Sequence, residues 1–430
     1  MEKLLEIAKK AAEQVDIYRE ETVSDSVSFE DAKLKDVDSS LQSGLRLTLL
    51  KQGRLGSAYT RNLIDRQGLV DNALASLAAG TEAGYELPQT KAPEKLSTYD
   101  PSIEELSNTR VVDECQRACD LLTGRVKAQL SVAAGKTVTR LRVMNSRGTD
   151  LSTELSDYTG YAAAHYPGSY SSVHRVKTAK GFVQFDQEDI DFIADTYNAS
   201  QKEAKPASGP TKVLFLPEAM YVLMWRIFAA TNAKSFYQKV SPVQDKLNQK
   251  LFSEMLTITD EPLNDSRPGA RTFDDEGTAC RTLPIVEKGV LRNFYSDLYY
   301  AWKLGAQPSG HGFRGSIEHK ATPNLAHITM KPGDKSLKEL LGVMDSGVIV
   351  SGVLGAHSGN ILNGDFSVGL APGFRVEKGE ITGHVKDAMV SGNIYDVLKN
   401  VVAVGDKLYP GNMGWFPAML LADVNFAVKG

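Results

Sequence analysis

The sequence predicts an α+β protein in which an N-terminal domain of antiparallel strands flanked by helices precedes a C-terminal domain that is mostly β, barrel-like or sandwich-like, with a few helices. The chain has 430 residues, which is more than one ordinary domain contains. Alternation of apolar and polar residues, typical of strands, dominates residues 16–60 and 126–185, with helical spacing between them. Beyond Asp260 the composition becomes rich in glycine and strand-forming residues.

The charge balance argues against nucleic acid as a direct partner. Lysine and arginine number 49 against 53 aspartate and glutamate, which gives a net charge of -4 without a long basic segment. Proteins that bind nucleic acid use clustered positive charge to neutralise phosphates. A hydrophobic content of 42% is ordinary for a globular protein that buries sizeable cores.

The cysteine content and the first residues of the chain indicate the cellular compartment of the protein. The chain has 3 cysteines, of which Cys115 and Cys119 share a predicted helix face and form no disulfide framework. The N-terminal apolar residues have helical spacing and are interrupted by Glu2, Glu6 and Lys9, unlike a signal peptide. No segment approaches the roughly 18 apolar residues of a membrane-spanning helix. We therefore expect a cytoplasmic protein without membrane contact.

Residues 1–197 are predicted to form the N-terminal domain. In order, we expect an opening helix, strands within 16–60, a helix over 61–79, a turn-rich connector, one helix from Asp100 to Gly124 and strands within 126–185. Asp100 before Pro101 indicates a helix start, because aspartate caps free amides and proline is tolerated at the first helical position.

The polar stretch 198–212 is predicted to link this domain to a C-terminal domain over residues 213–430. The second domain opens with a short apolar strand and a helix from Glu218 to Ala230, and helical character continues over 235–256. The remaining predicted elements are helices at Asn293–Leu304 and Lys335–Met344 and tight hairpins at the Glu-Lys-Gly sequences 287–289 and 377–379.

The sequence contains no local catalytic motif. The 7 histidines stand at least eight residues apart, so none shares a helix face with another as a zinc-binding helix requires. Ser358 lacks the strand-to-helix setting of an exposed nucleophile, and Cys280 is interpreted as a small buried side chain. His311, His319 and His327 can still converge in space, so a site assembled from distant residues stays open.

Three separated segments resemble the TldD/PmbA family of peptide-maturation proteases. They are residues 26–60, residues 267–305, which begin RPGARTFDDEGTAC, and residues 352–406, which begin GVLGAHSGNILNGDFSVG. The segments occur in the family's order, and the resemblance runs nearly from end to end. The chain is identified as a member of that family on these segments.

The resemblance implies a particular place within the family. Its active member, TldD, is a zinc metalloprotease with an HExxxH helix after a short strand and a cysteine near the C-terminus as third ligand. Its partner, TldE, also called PmbA, resembles TldD without the metal site. In this chain the motif positions hold Pro217, Glu218 and Val222, and no cysteine follows Cys280. Because proline and valine cannot bind zinc, the resemblance implies no cofactor in this chain and zinc in a TldD-like partner.

The implied function is that of a noncatalytic subunit helping to form the chamber that admits unfolded peptides for proteolysis. Its partner would be a TldD-like metalloprotease subunit or a second copy of this chain. The segment GNILNGDFSVG resembles the TldE side of the family. Polar residues in and around it are candidate peptide contacts: His357, Ser358, Asn360, Asn363, Asp365 and Ser367. The alternative is that these residues only form tight turns.

Two other functions stay open at this point. One is an independently active metallopeptidase with a relocated site that uses His311, His319, His327 or Asp297. The other is a homodimeric peptide-binding protein without catalysis. The family is also connected with modulation of DNA gyrase, and the balanced charge of this chain makes any such link indirect.

Overall fold

The computed structural model describes residues 1–91, 93, 95–169 and 171–428. Across these residues the protein is a mixed α+β structure, as the sequence predicts, with one long antiparallel sheet in the N-terminal half and shorter sheets in the C-terminal half. Within the described ranges, no helix is long and apolar enough to cross a membrane.

The N-terminal half is built on a single sheet. Its strands are β1 (Gln14–Glu30), β2 (Lys33–Lys51), β3 (Arg54–Thr60), β4 (Thr81–Glu82), β5 (Gln129–Asn145), β6 (Asp150–His165) and β7 (Ser172–Ala179). In the described part of the chain they lie in the order β4-β3-β2-β1-β5-β6-β7. Strand β1 pairs antiparallel with β2 on one side and with β5 on the other. The strands predicted within 16–60 and 126–185 are thus confirmed.

Helices pack against the two ends of this sheet. They are α1 (Glu2–Ala8), α2 (Arg66–Ser76), α3 (Ser102–Glu105), α4 (Asn108–Thr123) and α5 (Gln187–Ala199). At one end α1 and α2 bury Val15 and Ile17 of β1, and at the other end α4 and α5 share a core with Val27 and Phe29. Side chains alternate along a strand, so these four residues of β1 lie on one face of the sheet.

The single helix predicted from Asp100 to Gly124 is wrong, because the chain breaks between α3 and α4. Leu106 is extended, with ψ at 109°, and Ser107 begins the second helix by accepting a hydrogen bond from the Arg110 amide at 3.2 Å. A capping serine satisfies one of the amides that a helix start leaves free. The helical spacing continues across the break, which is why the sequence pattern conceals it.

The C-terminal half contains two larger sheets and a short strand pair. Its strands are β8 (Gly209–Phe215), β9 (Ile258–Asp260), β10 (Leu283–Glu287), β11 (Val290–Leu291), β12 (Gly312–Phe313), β13 (Thr322–Pro323), β14 (Ile328–Met330), β15 (Gly347–Val350), β16 (Val353–Leu354), β17 (Asp365–Leu370), β18 (Gly373–Glu377), β19 (Glu380–Val385), β20 (Ala388–Asn393), β21 (Val401–Val404), β22 (Tyr409–Gly411), β23 (Gly414–Phe416) and β24 (Met419–Val428). Among the described residues, one sheet runs β16-β17-β20-β24-β8-β15-β18-β19 with β21 beside β24, and the other runs β11-β10-β9-β14-β23-β22.

Strand β8 fixes the position of the turn that follows it. It lies inside its sheet between β15 and β24, parallel to the first and antiparallel to the second. Val213, Leu214 and Phe215 are completely buried, and a strand covered on both faces has a continuous apolar sequence. The end of β8 is therefore held by neighbours on every side.

The helices of this half are short: α6 (Tyr221–Thr231), α7 (Ala233–Tyr237), α8 (Leu298–Leu304), α9 (Leu337–Met344) and α10 (Ile394–Val397). The helix predicted from Glu218 is confirmed as α6, preceded by one 3-10 turn at Pro217–Ala219. Helix α8 begins at Leu298 and not at the predicted Asn293, because Asp297 caps it by accepting from the Tyr300 amide at 2.7 Å.

The prediction of helical character over 235–256 is wrong beyond Tyr237. The chain then follows turns in which Lys239 and Asn248 have positive φ values of 57° and 63°, a conformation that no helix contains. Pro242 and Ser241 reinforce the break, since proline lacks an amide proton and the Ser241 hydroxyl donates to the Ala230 carbonyl at 2.6 Å.

Both predicted Glu-Lys-Gly hairpins are confirmed. The turn between β10 and β11 has φ values of 47° at Lys288 and 78° at Gly289, and the turn between β18 and β19 has 51° at Lys378 and 77° at Gly379. Two successive positive φ values are typical of the tight turns that match strand twist. A side chain on Gly289 would also come within 2.2 Å of the Phe252 carbonyl, so glycine is required there.

The boundary at 198–212 stays a prediction. Helix α5 ends at Ala199 and β8 begins at Gly209, so the segment between them has little regular structure. Apolar residues from both sides of it, including Ile193 and Phe374, share one core. The two halves are therefore packed against each other through a continuous apolar interface.

Candidate functional site

The motif positions lie in the turn that joins β8 to α6. Pro217 occupies the first position of the 3-10 turn, where its missing amide costs no hydrogen bond. Pro217 is buried and Val222, in the first turn of α6, is 0% exposed. Val222 belongs to the same apolar core as Phe416 and Met419. Two of the three motif positions are thus core positions in this chain.

The third position, Glu218, forms a buried ion pair with Arg175 of β7. The side chains of Arg175 and Glu218 are only 5% and 7% exposed. The guanidinium carbon lies 3.2 Å from the centre of the Phe192 ring and 4.6 Å from that of Tyr409. A flat guanidinium stacks well on aromatic faces, so the pair is enclosed by rings from α5 and β22.

The hairpin of β22 and β23 closes over this turn. It spans Tyr409 to Phe416 and contains no cysteine. A side chain on Gly411 would come within 2.7 Å of the Pro217 carbonyl. The hairpin and the motif turn therefore touch through their backbones, as two parts of one site would.

The donors at this position do not fit a zinc ion. Pro217 and Val222 have no side-chain lone pair, and the Glu218 carboxylate is already paired with a guanidinium. Among the residues that the structure describes, no group of three or more His, Cys, Asp and Glu side chains could hold a metal ion. Zinc in proteins is held by about three such ligands when a water occupies the open position.

A cleft of 390 Å³ lies against the motif turn. Its wall includes Leu216, Pro217 and the ring of Phe192. Charged residues stand at its rim, where Lys407 binds both carboxylate oxygens of Glu188 at 2.6 and 2.7 Å. The cleft thus offers an apolar wall beside a rim on which Lys407 and Glu188 are paired with each other.

The residues predicted as peptide contacts come together in the loop between β16 and β17 and at the start of β17. The side chains of His357, Asn360, Asn363 and Asp365 are exposed, and those of Ser358 and Ser367 are half-buried. Their contact with peptide stays a prediction.

Hydrogen bonds give part of this group a role in turn formation. The Asn360 carboxamide oxygen accepts from the Asn363 amide at 3.1 Å. The Asn393 carboxamide donates to the Asp365 carboxylate and to the Asn363 carbonyl, both at 2.9 Å. Asn360 and Asp365 therefore shape the loop, whereas no such bond involves the side chains of His357 and Asn363 among the described residues.

Arg226 anchors this loop, and sequence reasoning missed it. This residue of α6 is completely buried, and it donates to the carbonyls of Asp365 at 2.6 Å, Ser358 at 2.8 Å and Ala356 at 3.2 Å. Burial lowers the pKa of Arg226 to about 10. The signal in the sequence is a lone arginine within an apolar helix, because a buried cation must be satisfied by acceptors.

His311 lies in an arrangement that superficially suggests nucleophilic catalysis. Its Nε2 contacts an Asp260 carboxylate oxygen at 3.0 Å, and its Nδ1 lies 3.0 Å from the Ser309 hydroxyl. His311 and Asp260 are both 0% exposed and Ser309 is 3% exposed. A nucleophile must reach its substrate, so this sealed group is a structural network.

The other residues of the relocated-site hypothesis are dispersed. The His327 amide donates to Asp260 at 2.7 Å, so the structure brings His311 and His327 to one aspartate. His319 is exposed on the surface, and Asp297 caps α8. The four residues therefore do not form one catalytic group.

The thiols are buried and unpaired with each other. Burial raises the pKa of Cys115 to about 12 and of Cys119 to about 11, and the Cys280 thiol donates to the Gly310 carbonyl at 3.2 Å. A thiol with a raised pKa is a poor nucleophile at neutral pH, which agrees with Cys280 as a small buried side chain.

Known proteins are similar to this chain in sequence and in fold. Residues 208–428 match the PmbA/TldA metallopeptidase C-terminal domain, and residues 15–80 match PmbA/TldA metallopeptidase domain 1. A metalloprotease PmbA homolog from Haemophilus influenzae is 26% identical, over 94% of this chain and 90% of the relative.

Solved structures share the fold of this chain over nearly its whole length. A candidate modulator of a DNA gyrase from Thermotoga maritima has a TM-score of 0.86 and 26% identity over 99% of both chains. TldE from Thermococcus kodakarensis has a TM-score of 0.91 and 20% identity over 99% of both chains, which shows the shared fold. With the entire C-terminal half matched as well, this chain belongs to the PmbA/TldA metallopeptidase family.

Proposed function

We propose that this chain is a noncatalytic, TldE-like subunit of a peptide-maturation metalloprotease, in which it helps to form the chamber that admits unfolded peptides. The buried Arg175–Glu218 pair carries the proposal. A glutamate acting as general base must reach the water that a metal activates. Glu218 is instead held by a guanidinium, between two motif positions that have no metal-binding atom.

The catalytic zinc is then supplied by a partner with an intact motif. A TldD-like subunit is the partner that the family setting favours, and a second copy of this chain is the alternative. The name of the Haemophilus relative and the fold shared with TldE both support a place on the PmbA/TldE side of the family.

The loop held by Arg226 is the surface that we assign to peptide contact. Its backbone is fixed by bonds to three carbonyls, so binding at exposed side chains such as His357 and Asn363 requires little further ordering of the loop backbone. Imidazole and carboxamide groups can hydrogen-bond to peptide backbone groups, and recognition of the backbone suits a chamber that accepts many sequences.

Reconstitution tests the proposal. This chain, a metal-bearing homologue with an intact HExxxH motif, and a mixture of the two are each incubated with an unfolded peptide, and cleavage is followed by mass spectrometry. We expect cleavage by the mixture well above that by the homologue alone, and none by this chain alone. Cleavage by this chain alone, or an unchanged rate on mixing, would contradict the proposal.

A double variant tests the assignment of the Arg226-held loop to peptide contact. His357→Ala combined with Asn363→Ala removes two exposed side chains that no described hydrogen bond uses, so folding should be unaffected. We expect slower cleavage by the mixture with an unchanged melting temperature. The matched control is Asp38→Ala with Gln42→Ala, which alters exposed residues of β2. Equal rates for both double variants would overturn the assignment.

A further inference from the structure

One edge of strand β2 is open over part of its length. On that side β3 pairs with β2 only over residues 45–51, whereas on the other side β1 pairs with β2 as far as Lys33. Residues 33–42 are all exposed, so the described part of the chain leaves this stretch of the edge uncovered. An open strand edge presents backbone amides and carbonyls and is a template for another strand.

The turn between β2 and β3 shows which backbone groups face this edge. Lys51 and Arg54 flank a two-residue turn in which Gln52 and Gly53 have positive φ values of 50° and 69°, and the residues that flank such a turn form a hydrogen-bonded pair. Backbone groups alternate in direction along a strand, so the odd-numbered residues of β2 point toward the side of β3. On the open stretch these residues are Val37, Ser39 and Leu41.

The Val37 amide and the local sequence both leave the edge available. This amide donates to the carboxylate of Asp36, its neighbour in sequence, at 3.0 Å, a local bond that a partner strand can replace. From Asp36 to Ser43 the segment contains neither proline nor lysine. Proline and lysine are two residues with which proteins prevent the pairing of open edges.

Exposed apolar side chains lie beside the open edge, all on one face of the sheet. They are Leu34, Val37 and Leu41, with exposed fractions of 51%, 43% and 70%. Their partners on β1 are Phe29, Val27 and Val23, and residues directly opposite each other share a face. The segment therefore offers an apolar surface as well as free backbone groups.

The charges of this segment restrict how it could pair with an identical segment. Antiparallel pairing of two copies places a two-fold axis at one residue of the strand, because odd-numbered residues must face each other for their amides and carbonyls to bond. An axis at Val37 would set Asp36 opposite Asp38, and an axis at Asp38 would set that residue opposite its own copy. Like charges directly opposite each other destabilise a sheet.

An axis at Ser39 avoids both repulsions. It sets Val37 of each copy opposite Leu41 of the other, so the exposed apolar residues form cross-strand pairs. An axis at Ser40 would instead set Val37 opposite Ser43 and leave the apolar residues apart. The sequence of the edge is therefore self-complementary in one register.

We propose that the open edge of β2 binds the same edge of a second copy of this chain, antiparallel about a two-fold axis at Ser39. The two N-terminal sheets then form one continuous sheet. Strands β1, β5 and β6 lie between this edge and β7, which carries Arg175, so the pairing leaves the motif turn free. The inference does not rest on the proposed function, and it is measured without peptide, metal or a homologous subunit.

The oligomeric state of the intact chain tests the pairing. We expect a dimer at micromolar concentration in sedimentation equilibrium. Leu41→Lys places a charge against Val37 of the other copy and changes only an exposed position of the monomer, so it should weaken dimerisation by about tenfold or more. The matched control is Leu354→Lys, at a leucine of β16 that is 63% exposed, and it should dimerise like the wild type.

Two results would overturn the proposal. One is a wild-type protein that stays monomeric at these concentrations. The other is a Leu41→Lys protein that dimerises as tightly as the Leu354→Lys control, which would place the contact elsewhere. Circular dichroism and melting temperature of each variant confirm that the monomer is folded.

Cross-linking tests the position of the axis. Ser39→Cys brings two thiols together at the axis, with Cα atoms about 5.5 Å apart, within reach of a short bis-maleimide. Gln42→Cys, also exposed on β2, places them roughly 20 Å apart. The natural cysteines are buried. We expect a cross-linked dimer from Ser39→Cys and little from Gln42→Cys; equal yields from both, or none from Ser39→Cys, would overturn the proposed register.

Discussion

Arg175 and Glu218 join the two halves of the molecule through one buried ion pair. Arg175 belongs to the last strand of the N-terminal sheet, and Glu218 belongs to the turn that opens the motif helix. The pair occupies the carboxylate of Glu218, the second of the three motif positions. It also fixes the motif turn against the N-terminal half of the molecule.

Removing the Arg175 guanidinium should therefore destabilise the folded protein. Arg175→Met leaves Glu218 buried without a partner, and we expect the free energy of unfolding to fall by about 3–5 kcal/mol in urea titrations. Arg175→Met with Glu218→Met should recover much of that loss, because no charge is then left buried. The control is Arg375→Met, whose ion pair with Glu377 is 33% and 47% exposed and is worth about 1 kcal/mol at most. Equal losses for the two single variants would contradict this role.

The loop anchor gives a separate prediction. Arg226→Met removes the donors to three loop carbonyls, and we expect faster hydrogen exchange across residues 355–364 and a stability loss of about 3 kcal/mol. Arg226→Lys keeps the charge without the planar fork, so its exchange should be intermediate. Unchanged exchange in this segment for Arg226→Met would show that the loop is held by other contacts.

The packing at Val222 predicts that restoring a histidine is unfavourable. Val222→His must fit a larger, polar ring into a site that is 0% exposed, and we expect a loss of about 3 kcal/mol. The control, Val343→His, alters a valine that is 40% exposed and should change stability by about 0.5 kcal/mol or less. A Val222→His protein as stable as the wild type would indicate room for a ligand that the structure does not have.

The raised pKa of Asp16 makes its contribution to stability depend on pH in a defined direction. Burial, opposed by Arg314 and Arg46, raises the pKa from 3.8 to about 7. The folded state thus holds this proton more tightly than the unfolded state, so the contribution of Asp16 to stability falls as pH rises from about 4 to about 7 and levels off above. A tenfold difference in acidity between the folded and unfolded states corresponds to roughly 1.4 kcal/mol of stability.

Asp16→Asn should flatten that decline in unfolding titrations across this range. The control is Asp334→Asn, because the Asp334 side chain is 85% exposed and should leave the pH dependence unchanged. A wild-type decline no steeper than that of Asp16→Asn would show that Asp16 titrates normally.

Local patterns explain which parts of the fold are predictable. The Lys288-Gly289 hairpin depends on residues adjacent in sequence, and alternation identifies the long strands for the same reason. The break at Ser107 is hidden because apolar spacing continues across it. The turns after Tyr237 are signalled by Pro242, whose effect the helical spacing of its neighbours obscures.

The site is less predictable because its partners are distant in sequence. The family resemblance predicts the motif positions and the loop as site residues. Arg175 and Glu218 are 43 residues apart, and Arg226 donates to carbonyls 130 and 139 residues away, at Ala356 and Asp365. No spacing rule connects such residues; only the packing of β7, α6 and the loop brings them together.

Zinc content and peptide cleavage, measured together on the isolated chain, decide whether catalysis belongs to it. The protein is purified without chelator, incubated with excess zinc, freed of unbound metal and assayed against an unfolded peptide. We predict bound zinc far below one ion per chain and no cleavage until a metal-bearing homologue is added. Near-stoichiometric zinc with cleavage by this chain alone would contradict its assignment as the noncatalytic subunit.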